Sequence, residues 1–185
     1  MQFNVAQLLK QPVGAKREYE LDEPLGELDP DLVPVAPITG EVRFIRTRDG
    51  VLVTGQLATV LEVNCNRCLE AFDLPISIEI EEEFKSKIDL RTGAHLPVTD
   101  EDEVATLINE HHIIDLREVV RQDLLLALPL NPLCQEACGG LCPTCGANLN
   151  EGPCECEPET IDLRWNTLAD LFDEMKRDEG ASSSE

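Results

Sequence analysis

The sequence predicts an α+β protein: an antiparallel β-sheet, open or closed in barrel fashion, with flanking helices and a cysteine-rich module toward the C-terminus. Three observations carry that expectation. Between about Lys16 and Phe84 the apolar residues recur at the period of two that marks half-buried strands. Two later stretches change to helical spacing, and the eight cysteines fall into four close pairs. A chain of 185 residues is long enough to bury one real core with an appendage. The expected division is a core domain over 1–130, a cysteine module over 131–160, a last helix over 161–178 and a frayed tail over 179–185.

The first ten residues, MQFNVAQLLK, read as a short amphipathic helix with Val5, Leu8 and Leu9 on one side. The clearest strand pair surrounds RDGV. Asp49-Gly50 is a strong two-residue hairpin signal, because tight turns of that kind need positive φ at both central positions. Placing Arg48 opposite Val51 sets Phe44 against Gly55, Val42 against Leu57 and Ile38 against Leu61, all on one face. A third strand alternates through Ile76, Ile78, Ile80 and Phe84, with Ser77, Glu79, Glu81 and Glu83 pointing the other way. Residues 86–106, with DEDE at 100–103, read as a solvated acidic loop.

Helical spacing returns in IIDLREVVRQDLLLALPL. Asp115 and Glu118 suit a capping box, Leu116, Val119, Val120, Leu124 and Ala127 share a face, and Pro129 stops the helix. Asp162 can cap the last helix, whose apolar side carries Trp165, Leu168, Leu171, Phe172 and Met175; Trp165 reads as helix core rather than a base-stacking residue.

Charge narrows the partners. The net charge is −22, and it is uneven: residues 1–99 hold 10 basic and 17 acidic side chains, residues 100–185 hold 5 and 20. Such a surface repels phosphate backbones except where basic residues are grouped, so a basic protein is the easier electrostatic match. No signal peptide and no membrane-length apolar run stands out, which predicts a cytoplasmic chain whose thiols stay reduced. Reduced cysteines at this density argue for metal.

The pairs are Cys65 with Cys68, Cys134 with Cys138, Cys142 with Cys145, and Cys154 with Cys156. Two residues between thiolates let the backbone wrap one ion as a knuckle, and zinc takes four such donors in a tetrahedron. CPTCG is an especially good knuckle, since Gly146 can turn left-handed after the second ligand. The expected first site is Cys142, Cys145, Cys154 and Cys156, closing the core-poor loop GANLNEGP. The expected second site joins Cys65 and Cys68, at a hairpin tip, to Cys134 and Cys138 after the helix. An uninterrupted cluster of Cys134, Cys138, Cys142 and Cys145 is the alternative. A thioredoxin-like redox pair fits poorly because CNRC leads into a strand rather than a helix. A rubredoxin-like iron site wants a second CPxCG, and buried thiols explain one or two cysteines but not four pairs. Two structural zinc ions are the best reading.

Catalytic apparatus is not expected. A four-cysteine zinc keeps no position for water, and no phosphate loop, nucleophile elbow or His–Ser pairing stands out. The histidines are His95, His111 and His112, of which the last two are neighbours and would point to opposite faces of a strand. For RNA, the local candidate is RFIRTR: Arg46 and Arg48 on one strand face, Arg43 on the other, with Lys85 and Lys87 as candidates to join. Ordinary edge-strand solubility accounts for the same arginines equally well.

NCNRCLEAFDLPI, IDLREVVRQDLLLALPLNPLC and CGGLCPTCGANLNEGPCEC together resemble the YceD family of bacterial and plastid proteins. The resemblance implies a role in the accumulation, processing or stability of large-subunit ribosomal RNA and brings no catalytic residue. With this acidity, it implies as partner a ribosomal RNA precursor met through a confined patch, a basic ribosomal protein, or both.

Overall fold

A computed structural model describes residues 1–86 and 106–156, together with Trp165, Leu168 and Leu171. Five strands form the main path of one sheet. They are β2 (Lys16–Glu23), β4 (Ile38–Arg46), β5 (Gly50–Asn64), β6 (Ala71–Ser86) and β7 (Leu107–Ile108), in the order β2-β4-β5-β6-β7. The short β3 (Val33–Pro34) pairs with β5 off this path. All neighbours are antiparallel except β6 and β7, which run parallel. The sheet stays open rather than closing into a barrel.

Long-range hydrophobic alternation builds it. Ile38, Val42 and Phe44 of β4, Val51, Val53, Leu57 and Leu61 of β5, and Ile76, Ile78, Ile80 and Phe84 of β6 all turn to one buried side. That side is covered by the N-terminal segment and by a stretch ending in α2, which lie far apart in the sequence. The N-terminus forms β1 (Gln2–Asn4) and the four-residue α1 (Ala6–Leu9), where the sequence suggested one helix; Val5, Leu8 and Leu9 are buried all the same. β1 pairs with β8 (Ile113–Asp115), and Phe3 meets Tyr19 and Phe44 at ring-centroid distances of 5.2 and 5.0 Å. α2 (Arg117–Ala127) follows and packs against β6 with Val119, Val120 and Leu124 buried.

Three local expectations are corrected. The β4–β5 register is offset by two residues: Phe44 faces Val53 and Val42 faces Gly55. The connection is residues 47–49, closed by Thr47 N–H donating to the Gly50 carbonyl (3.1 Å) and Gly50 N–H donating to Thr47 Oγ1 (3.0 Å). A shift of two leaves every side chain on its predicted face, because the strand period is two. Gly50 is required for a different reason than a tight turn, since a Cβ there would collide with the Phe84 carbonyl of β6. The capping box does not form either. Asp115 belongs to β8, its Oδ1 accepts from Arg117 N–H at 3.0 Å, and Glu118 pairs with Arg121 instead. α2 ends at Ala127, with Leu128 extended ahead of Pro129 as proline demands of its predecessor, and Ala127 is exposed.

Finally, Trp165, Leu168 and Leu171 are each more than half exposed, so Trp165 is not core. The inner face of the sheet is already covered by α2 and the N-terminal segment. The rest of 161–178, the acidic run at 100–103, His95 and Lys87 lie outside the described residues.

Two candidate metal centres

β5 runs out at Asn64 and β6 begins at Ala71, so the CNRC loop is a hairpin tip at one end of the sheet. Its backbone makes a closed circuit: Leu69 N–H donates to the Cys65 carbonyl (2.9 Å), and Cys65 N–H to the Glu70 carbonyl (2.9 Å). The CPTC loop repeats it. Gly146 N–H donates to the Cys142 carbonyl (2.9 Å), and Cys142 N–H to the Ala147 carbonyl (2.8 Å). In both, the residue after the second cysteine is left-handed: Gly146 at φ 74° and, unexpectedly, Leu69 at φ 62°. The two loops are one unit built twice, the first time with a leucine in a conformation that costs an L-residue roughly 1–2 kcal/mol.

The tip grips the chain beyond α2. Asn66 N–H donates to the Pro132 carbonyl (2.9 Å), and its carboxamide reaches Asn131 Oδ1 (3.1 Å). Arg67 sends Nη1 to the Cys138 carbonyl (3.0 Å) and accepts from Leu141 N–H (3.1 Å). These contacts deliver Cys134 and Cys138 to Cys65 and Cys68. Cys65 Sγ lies 3.7 Å from Cys138 Sγ, and Cys68 Sγ 3.7 Å from Cys134 Sγ. All four sulfurs lie within 4.8 Å of one another, and so do those of Cys142, Cys145, Cys154 and Cys156. The uninterrupted cluster of Cys134, Cys138, Cys142 and Cys145 is not the arrangement formed. We call the two groups the hairpin–helix centre and the loop centre.

The geometry fits a tetrahedral ion. A zinc–sulfur distance of about 2.3 Å gives a tetrahedron with edges of about 3.8 Å, against 3.7 Å here, far too long for a disulfide. The proton equilibria point the same way, because four adjacent sulfurs cannot all ionise without a cation. The backbone N–H of Cys68, helped by those of Cys134 and Arg67, draws Cys65 down to about 6. Cys134 is exposed as a residue, but its sulfur faces the other three, and that burial followed by their proximity pushes it up to about 12. In the loop centre the N–H groups of Cys145 and Thr144 bring Cys142 down to about 6, while Cys145 pushes Cys156 up to about 12. A divalent ion removes the conflict by balancing the thiolates. Both groups can hold a metal ion.

Two asparagines that sequence reasoning passed over join the centres. Asn150 Nδ2 donates to Cys138 Sγ at 3.3 Å, the leading reason the Cys138 thiol is held low. Asn148 Nδ2 donates to Glu70 Oε1 at 2.9 Å. Nothing in the linear pattern separates them from turn asparagines.

The arginines do not form a patch. Arg43 is paired with Glu18 at 2.8 Å. Arg46 ends β4 with its guanidinium turned onto the Thr47 and Gly50 carbonyls (2.6 and 2.7 Å), so it staples the loop. Arg48 sits in that loop rather than on a strand face, exposed and without a partner among the described residues. His111 and His112 occupy the β7–β8 turn, where Asn109 Oδ1 accepts from His111 N–H (3.0 Å) and Ile113 N–H (2.9 Å); neither joins a metal group.

Fold and centres together define a class: an open-sheet protein whose hairpin tip and following segment present paired tetracysteine sites. The chain belongs to the family described as large ribosomal RNA subunit accumulation protein YceD, whose model matches residues 53–172. An uncharacterised protein of Mycobacterium tuberculosis (strain ATCC 25618 / H37Rv) is 33% identical over 132 residues, covering 71% of this chain and 60% of that one. Two plant proteins bear the name large ribosomal RNA subunit accumulation protein YCED homolog 1, chloroplastic. The Arabidopsis thaliana protein is 28% identical (78% of this chain, 51% of its own), and the Zea mays protein 29% (83% and 60%). The chain thus spans between 51% and 60% of the length of these relatives. No solved structure matches it at comparable significance. No helix among the described residues is long and apolar enough to cross a membrane.

Proposed function

We propose that this protein is a noncatalytic cytoplasmic factor that supports large-subunit ribosomal RNA, and that it acts by holding a basic ribosomal protein. Each cysteine centre carries one structural zinc ion, fully occupied by four thiolates and so closed to Lewis-acid chemistry. The family and the names of the plant relatives support the ribosomal assignment. The observation that carries the mode of action is the outward face of the sheet. One cross-strand row reads Glu20–Glu41–Gln56–Glu79 and the next Glu18–Arg43–Thr54–Glu81, so the single arginine is neutralised by its neighbours. A shallow depression of about 310 Å³ lies over Glu18, Glu41, Arg43 and Glu79. Zinc deepens the acidity, because eight thiolates and two divalent ions take the formal charge from −22 to −26.

The test is native purification with and without nuclease. A salt-sensitive complex with a basic protein that survives nuclease, and that Glu41→Lys combined with Glu79→Lys abolishes, is the expected result. A complex that nuclease dissolves would reject it. Direct RNA contact is the second reading, favoured by the unpaired Arg48 at the β4–β5 loop; it expects an RNA crosslink at that loop that Arg48→Glu removes.

A further inference from the structure

Asn150 lies inside the loop that the loop centre closes, between Cys145 and Cys154, yet its carboxamide serves the other centre. Oδ1 accepts from Gly139 N–H (2.7 Å) and from Gln135 Nε2 (3.1 Å), while Nδ2 donates to Cys138 Sγ (3.3 Å) and to Asn148 Oδ1 (2.8 Å). Both lone-pair sites and both amide hydrogens are engaged. A flipped carboxamide would set its NH2 against the Gly139 N–H and its oxygen against sulfur, so only one orientation serves. The flanking residues reach the same way: Asn148 to Glu70, and Leu149 N–H to the Gly140 carbonyl at 2.8 Å.

Alongside these bonds, the loop centre restrains 148–150 from both sides. Gly146–Pro153 is rich in glycine and asparagine and contributes no residue to either buried cluster, while its two ends are fixed by Cys142 and Cys145 on one side and Cys154 and Cys156 on the other. A cation joining those four sulfurs orders the loop and aims Asn150 at Cys138. Donors to a ligand atom outside the coordination sphere typically govern 10–100-fold in metal affinity.

We infer that the two centres bind metal cooperatively, with Asn150 as the positioning residue that transmits occupancy of the loop centre to the hairpin–helix centre. The coupling presupposes the metal-bound centres proposed above. By linkage it is reciprocal, each ion raising the affinity for the other by the same factor.

The experiment uses the full chain and zinc alone, competed against a chromogenic chelator, with zinc per chain counted directly. Emptying the loop centre with Cys154→Ser and Cys156→Ser should weaken zinc at the hairpin–helix centre by about 10–100-fold. Asn150→Ala should cause a comparable loss there while the chain still takes up two ions, and adding it to the double serine variant should cost nothing more. Asn150→Asp, which keeps the acceptor and loses the donor to sulfur, should not rescue. With cobalt as probe, Asn150→Ala should also shift the sulfur-to-metal charge-transfer band of the hairpin–helix centre, which a purely scaffolding loop would leave unmoved. Unchanged affinity at that centre in either variant, or losses that add, would overturn the coupling. A wild-type chain that binds no zinc would instead overturn the metal reading, and the count per chain tells the two failures apart.

Discussion

The two centres share one chemistry and one knuckle backbone, but they are assembled in opposite ways. The hairpin–helix centre spans the chain: Cys65 and Cys68 come from the sheet, Cys134 and Cys138 from beyond α2, and Cys65, Cys68 and Cys138 are at most 4% exposed. Phe72 and Leu133 pack against it, so it extends the core past the end of the sheet. The loop centre gathers cysteines within 15 residues, Cys142 to Cys156, and only Cys142 among them is buried. Identical ligand sets therefore do different jobs: the first fixes where α2 and its exit sit relative to the sheet, and the second organises a short loop with no core of its own. Sequence separation, more than ligand type, decides which role a metal plays, because a cross-link stabilises by removing freedom that the rest of the fold would otherwise have to restrain.

The strongest way to break that contrast is to remove one ligand from each centre. Cys68→Ser should release one zinc and cost several kcal/mol of sheet stability, bounded by the roughly 10–16 kcal/mol apparent contribution of a structural zinc. Cys154→Ser should also release one zinc but cost the sheet less, about 1.4–2.8 kcal/mol, the equivalent of a 10–100-fold weaker zinc at the hairpin–helix centre. Zinc content and thermal denaturation decide it, and equal destabilisation by both would mean that the loop centre is part of the core.

The duplicated knuckle gives a finer test. Gly146→Ala forces a Cβ into the left-handed region and should weaken the loop centre by about 1–2 kcal/mol. Leu69→Gly runs the other way. It relieves that strain against the entropy a glycine loses, for a net change between zero and about 1 kcal/mol in favour of the fold. The Leu69 side chain is 65% exposed, so little packing is lost. Chelator competition and denaturant titration would read both, and a large loss from Leu69→Gly would mean that the leucine itself makes a contact the fold needs.

The smallest effect separates metal from ordinary electrostatics. Arg121 bridges Asp29 (2.8 Å) and Glu118. The Asp31 backbone N–H and then Arg121 hold the Asp29 carboxyl below its usual 3.8; Arg121 foremost holds Glu118 below 4.5. Carboxyls depressed in the fold contribute stability that is complete above their ordinary values and disappears as pH falls through the folded ones. Wild type should therefore exceed Arg121→Ala in stability at neutral pH, with the difference fading as pH drops below about 4.5. Acid release of the zinc proposed at the two centres is expected at higher pH, as protons take the thiolates, so this fading step is distinct from metal loss in a circular-dichroism titration.

Much of this was legible in the chain itself. The alternation of Ile76, Ile78, Ile80 and Phe84 settles which face of β6 is buried, and the close cysteine pairs announce knuckles. Even an offset register left the inner face unchanged, because strand faces repeat every two residues. Other features had no linear signal. The Asp49-Gly50 pair reads as a tight turn, but its glycine answers to the backbone of β6, a strand more than twenty residues away. RFIRTR reads as a basic stripe, yet Glu18 and the loop carbonyls take up Arg43 and Arg46. Asn150 looks like any turn asparagine until Cys138 is brought beside it. Local periodicity and spacing act over a few residues and so are written in the sequence. What an isolated side chain bonds to, and whether a charge stays free, is set by neighbours that only the assembled sheet supplies.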